Sequence, residues 1–121
     1  PWVGCVGMDG RICPVAEAAK ILGDKWTLLL LRDLAQGSRR FKDLERSVDG
    51  ISPTMLAARL RELERQGLLT RTTYNEIHPR VEYHLTDKGT EALPVVEALR
   101  FYGNRWLLSR PEPSDAVLSS T

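Results

Sequence analysis

The sequence predicts a mainly α chain that closes on one small β-hairpin, and three observations carry that reading. Apolar residues recur at helical spacing from about residue 14 to residue 66, the period falls to two across "LLTRTTYNE" and "RVEYHLT", and a helical stripe resumes after Thr86. At 121 residues the chain can bury one modest core and is too short for two. Its 42% hydrophobic and 27% charged residues are ordinary for a folded domain, which excludes fibrous and disordered classes except at the ends. The longest apolar run, Leu28 to Leu31, is far below the roughly 20 residues that span a bilayer. With no charged-then-apolar signal segment at the N-terminus, a cytoplasmic protein without membrane partners is expected. Two cysteines, Cys5 and Cys13, make neither a metal quartet nor a disulfide framework, and no cofactor or metal is expected.

Residues 1–12 read as a flexible arm, 13–108 as the folded domain and 109–121 as a flexible tail. Pro14 suits the first turn of a short helix whose stripe is Val15, Ala18, Ala19 and Leu22. Asp24 caps a second helix, about 24 to 36, whose wide apolar face includes Trp26, Leu29, Leu30 and Leu34, with Asp33 among them. A short helix from about Lys42 to Ser47 turns Phe41, Leu44 and Val48 inward. After the turn "VDG", Ser52 caps and Pro53 opens a helix that Gly67 ends. The hairpin follows, and then a long final helix capped by Thr86 and kinked at Pro94. Two helices joined by a glycine-containing turn, with a hairpin behind them, make a winged helix-turn-helix.

Charge is unevenly placed. Residues 39–80 carry nine basic and six acidic residues, whereas residues 81–121 carry four and six. A basic middle third points weakly to nucleic acid. On the helix from Ser52, Leu56, Leu60 and Leu63 share the core face, and Thr54, Ala58, Arg61 and Arg65 lie opposite, with Ala57 and Arg59 on the flanks. Small residues and free N–H groups near its start allow close approach to phosphates, and arginine reaches guanine edges or backbone oxygens. The plain alternative is a solvated, salt-bridged face, because Glu62 and Glu64 alternate with the arginines. Arg71, His78 and Arg80 on or near the hairpin, and Arg39, Arg40 and Lys42 before the short helix, are candidates for backbone contacts.

"GDKWTLLLLRDLAQGSRRFKDLE", "GISPTMLAARLRELERQGLLTR", "PRVEYHLTDKG" and "LPVVEALRFYGNRW", with "CPV" before them, resemble the HxlR-type transcription regulators, relatives of the MarR group. The resemblance covers about residues 13 to 107. It implies a homodimer on a pseudo-palindromic double-stranded operator, joined through the terminal helices, here Val15 and Leu22 with Val95, Val96, Leu99, Tyr102, Gly103 and Trp106. Some members of this family sense oxidants or electrophiles through a cysteine at the position of Cys13. A thiol at a helix N-terminus, two residues after Arg11, favours the thiolate; Cys5 is the candidate to resolve it, and a half-buried structural thiol is the alternative. A small-molecule effector in a cavity lined by Trp26 and Trp106 is the competing signal. One departure from the family is Ile77 and His78, where members carry a second proline before "PRVEY". An enzyme is not expected, since neither His78 nor His84 stands beside a nucleophile and no phosphate loop occurs. A winged-helix module that binds protein instead of DNA is the remaining rival.

Overall fold

The computed structural model describes residues 12–108 except 38 and 76. Cys13 caps α1 (Pro14–Leu22), its sulfur accepting the Ala16 N–H. Asp24 caps α2 (Lys25–Ala35) by accepting the Thr27 N–H at 3.0 Å. The short α3 (Phe41–Ser47) leads into α4 (Pro53–Arg65), where Ser52 accepts the Met55 N–H and Pro53 occupies the first turn. Gly50 at φ +91° turns the chain between α3 and α4, and Gly67 at φ +85° ends α4; a side chain disfavours both angles. β1 (Leu69–Tyr74) and β2 (Arg80–Leu85) then pair antiparallel, with Leu69 opposite Leu85, Arg71 opposite Tyr83 and Tyr74 opposite Arg80.

The C-terminal third departs from the sequence expectation of one kinked helix. It breaks into α5 (Asp87–Thr90), α6 (Leu93–Tyr102) and a π-helical turn, Gly103–Leu107. Pro94 is the cause: it has no N–H to give the Thr90 carbonyl and its ring crowds that oxygen, so the chain stops and restarts with the proline in the first turn of α6. No helix among the described residues is long and apolar enough to cross a membrane.

The core is built around α2, which packs on α1, α3, α4, α6 and β2. Leu30 and Leu31 have no exposed surface, and Leu44, Val48, Leu56, Leu60, Leu63, Leu69 and Val96 close around them. Asp33 goes into this core as well. Its oxygens accept from Arg32 at 2.6 and 3.1 Å and from the Ser47 hydroxyl at 2.7 Å, so the buried charge is paired and α3 is fastened to α2. At the other end of the domain, Lys88 donates to the Gln66 carbonyl at 2.7 Å and Thr86 to that of Gly67 at 2.5 Å. These bonds satisfy carbonyls that the end of α4 would leave open. Gly89 permits the approach, because a Cβ there would run into the Leu68 carbonyl oxygen. Gly89→Ala is therefore expected to lower unfolding free energy by about 1 to 3 kcal/mol, measured by urea denaturation, whereas Gly103→Ala, where a Cβ meets nothing within 4 Å, should not destabilise the isolated chain.

Candidate nucleic-acid interface

The exposed side of α4 starts with Ser52, Pro53 and Thr54, continues through the half-buried Ala57 and Ala58, and ends in arginines. Those arginines divide by what holds them. Arg65 grips Glu62 at 3.0 and 2.7 Å, and its guanidinium lowers the Glu62 carboxyl. Arg59 reaches across to α2, giving Asp24 its Nε at 2.8 Å and its Nη2 at 3.2 Å. That guanidinium holds the Asp24 carboxyl below the usual carboxylate range, against the opposing effect of partial burial. Arg61 is exposed and has no hydrogen-bond or ion-pair partner among the described residues. The salt-bridged alternative thus describes Arg59 and Arg65, while Arg61 stays available.

A groove of about 330 Å³ runs between α4 and the hairpin, and brings Ala57, Arg61 and Glu64 to face Arg71 and Tyr83. Arg71 is exposed on β1. Arg80 is turned back on the hairpin, 3.1 Å from Glu82 and with its guanidinium 4.5 Å from the centre of the Tyr74 ring. His78 is exposed in the turn. Arg39 joins the wing to the start of α3: its carbonyl accepts the Tyr83 N–H at 2.8 Å, and its Nε donates to His84 Nδ1 at 3.3 Å. His84 Nε2 lies 3.2 Å from Glu82, so one imidazole bridges a carboxylate and a guanidinium. Arg40 and Lys42 are exposed beside it.

Large apolar side chains are exposed on α1, α6 and the turn that follows it. Val15, Val95, Leu99, Tyr102 and Trp106 are exposed, at 42 to 62%, and Leu22 is half-buried. Val96, grouped with them in the sequence, is 8% exposed and belongs to the core, because the stripe of α6 is wide enough to divide between α2 and solvent. A crevice of about 430 Å³ opens between α2 and α6, with Leu28, Leu29 and Leu99 in its walls and Lys25, Arg32 and Arg100 at its edges. Neither Trp26 nor Trp106 lines it. Trp26 packs on the core beneath the Lys25 ammonium, and Trp106 is exposed with Arg105 over its ring. Cys13 is a half-buried free thiol, and Cys5 lies outside the described residues.

The pattern of the HxlR-like helix-turn-helix family matches residues 21–111. The chain belongs to the HxlR-like helix-turn-helix family. It is 44% identical over 98 residues to an HTH-type transcriptional regulator of Synechocystis sp., covering 81% of this chain and 73% of that protein. Among solved structures it is similar to a MarR-family regulator from Porphyromonas gingivalis, with TM-score 0.73 and 36% identity over 80% of this chain and 95% of the other. It is also similar to the reduced form of the regulator YodB from Bacillus subtilis, with TM-score 0.69 and 32% identity over 84% of this chain and 100% of the other. This HxlR-like protein is thus a winged helix-turn-helix transcription regulator and not an enzyme. In it, α3 and α4 are the paired helices and the hairpin is the wing.

From the sequence Asp24 reads only as a cap, and His84 has no role. No periodicity links Asp24 to Arg59, 35 residues away, so only the packed fold reveals the pair. Because the folded Asp24 carboxyl titrates below its unfolded value, its stabilisation is present above the unfolded pKa and is lost as pH falls through the folded one. The stability difference between wild type and Asp24→Asn, followed by urea unfolding, is therefore expected to be largest near neutrality and to shrink as pH falls below about 4.

Proposed function

We propose that this regulator binds a pseudo-palindromic double-stranded operator as a homodimer, with α4 in the major groove and the wing on the flanking backbone. The observation that carries the reading is Arg61, an exposed guanidinium with no partner among the described residues, on the face opposite the buried Leu56, Leu60 and Leu63 and one turn beyond small residues that allow close approach. Ser52, Pro53, Thr54, Ala57 and Ala58 form the rest of the reading edge. Arg71, His78, Arg40 and Lys42 supply phosphate contacts around it, with Arg39 and Arg80 shaping the wing from within. Arg65, turned onto Glu62, serves the backbone at most.

The homodimer reading rests on the exposed side of α6 and on Val15 of α1, an apolar surface larger than a lone chain needs to show. A twofold pair would place two copies of α4 about 34 to 36 Å apart, in successive major grooves. Two inputs fit the molecule. One is oxidation or alkylation of Cys13, whose cap on α1 lies next to the dimer surface, and YodB has been solved both reduced and after diamide treatment. The other is an apolar small molecule in the crevice between α2 and α6.

Specific duplex binding is expected to weaken by at least about a hundredfold between roughly 50 and 200 mM salt. Salt-insensitive association, or no duplex binding by the reduced protein, would favour a protein-binding module instead. Arg61→Ala should cost about 1 to 3 kcal/mol of operator affinity and relax selectivity at one base pair. Leu99→Glu should yield a monomer by light scattering, and retention of the dimer would reject the α6 interface. For the thiol, diamide should release DNA from wild type and leave Cys13→Ser bound; equal release from both removes Cys13 as the sensor.

A further inference from the structure

The Asp24 carboxylate is unusually occupied for a helix cap. It accepts the Thr27 N–H and hydroxyl from its own helix and both donors of the Arg59 fork from α4. Such a two-pronged pair fixes direction as well as distance. Arg59 precedes the core residue Leu60 and stands two positions before Arg61, which is about 200° of rotation around a helix with 3.6 residues per turn. A tether on Arg59 therefore sets where Arg61 points. The far end of α4 is held independently, by Lys88 on the Gln66 carbonyl and Thr86 on that of Gly67. With its C-terminus pinned, α4 keeps two freedoms, roll about its axis and swing of its N-terminal end, and the Asp24 contact opposes both.

We propose that Arg59 is a positioning residue for DNA reading: by gripping Asp24 it fixes the roll and tilt of α4 on α2, so that Ser52, Thr54 and Arg61 meet the bases, and it makes no contact with DNA itself. This rests on α4 being the recognition helix. The idea differs in sign from a phosphate contact. Asn retains the capping ability of Asp, so Asp24→Asn removes a negative charge near the duplex and frees a cation. Simple electrostatics then strengthens binding to every sequence. Loss of positioning instead weakens binding to the selected sequence alone.

The experiment selects a duplex from a randomised library with wild-type protein, and measures affinity for that duplex and for a random one with wild type, Asp24→Asn, Arg59→Gln, Arg59→Lys and the double variant Asp24→Asn/Arg59→Gln. The ratio of the two affinities is the readout, because a partly unfolded sample lowers both equally. Asp24→Asn is expected to reduce the ratio by at least about tenfold, the scale of one lost base contact, with random-duplex affinity unchanged or higher. Arg59→Lys should not restore it, since lysine lacks the fork, and the double variant should fall no further than the worse single one. An unchanged ratio in Asp24→Asn overturns the proposal. So does Arg59→Gln weakening both duplexes alike with a salt slope lower by about one, which marks a phosphate contact. Should Asp24→Asn fail to fold, the two Arg59 variants decide by the same ratio. If wild type enriches no sequence at all, the recognition-helix reading falls and the positioning role with it, an outcome distinct from selective wild-type binding that the variants leave intact.

Discussion

The burial of α2 is the constraint on which the rest of the structure depends. A chain of this size closes one core, and α2 is covered by α1, α3, α4, α6 and β2 in turn. Full burial of a leucine stabilises by about 1.5 to 3 kcal/mol, and Leu30 and Leu31 both reach it. The cost of this arrangement falls on α6. Its inner residue Val96 is used to cover α2, and among the described residues no further layer covers the outer ones. An exposed apolar helix face is thus a consequence of how the core was closed.

The polar side of α2 does a second job. It carries a carboxylate near each end, and each fastens one helix of the helix-turn-helix. Asp33 is almost fully buried and holds α3 through Ser47, while Asp24 is about one-third exposed and holds α4 through Arg59. The depth of the two pairs matters. Removing a partner from a buried carboxylate strands a charge and costs several kcal/mol, roughly 3 to 5, whereas a half-exposed pair is screened by water and gives way more readily. Of the two helices, α3 is therefore bolted and α4 is clasped.

Local signals carried most of the fold into the sequence. Asp24, Ser52 and Thr86 act as caps, Gly50 and Gly67 stand at turns, Pro14 and Pro53 open helices, and the leucine spacing of α4 is the spacing of its buried face. Each of these depends on neighbours within about four residues, which a sequence displays directly. The break before Pro94 was legible as a disturbance but not as a full stop, since whether a proline kinks or ends a helix depends on what the freed carbonyls find nearby. The site was half legible. The chemistry of Arg61 follows from its face of the helix, but the pairing of Arg59 with Asp24 and the bridge from His84 to Arg39 join residues far apart in sequence. Such pairings exist only once the core has brought their helices and strands together.

Gly103 draws these threads toward a matter of distance. It sits at the start of the π-helical turn in ordinary helical angles, so no backbone strain requires a glycine, and a Cβ there would touch nothing within 4 Å among the described residues. Alanine would favour a helix by about 1 kcal/mol. Nothing among the described residues accounts for the missing methyl. What a bare Cα does provide is a notch in an otherwise bulky ridge of Leu99, Tyr102 and Trp106, at which the axis of a facing helix can come nearer than large side chains would allow. In the proposed homodimer, the spacing between two such axes would then be set in part by an atom that is not there.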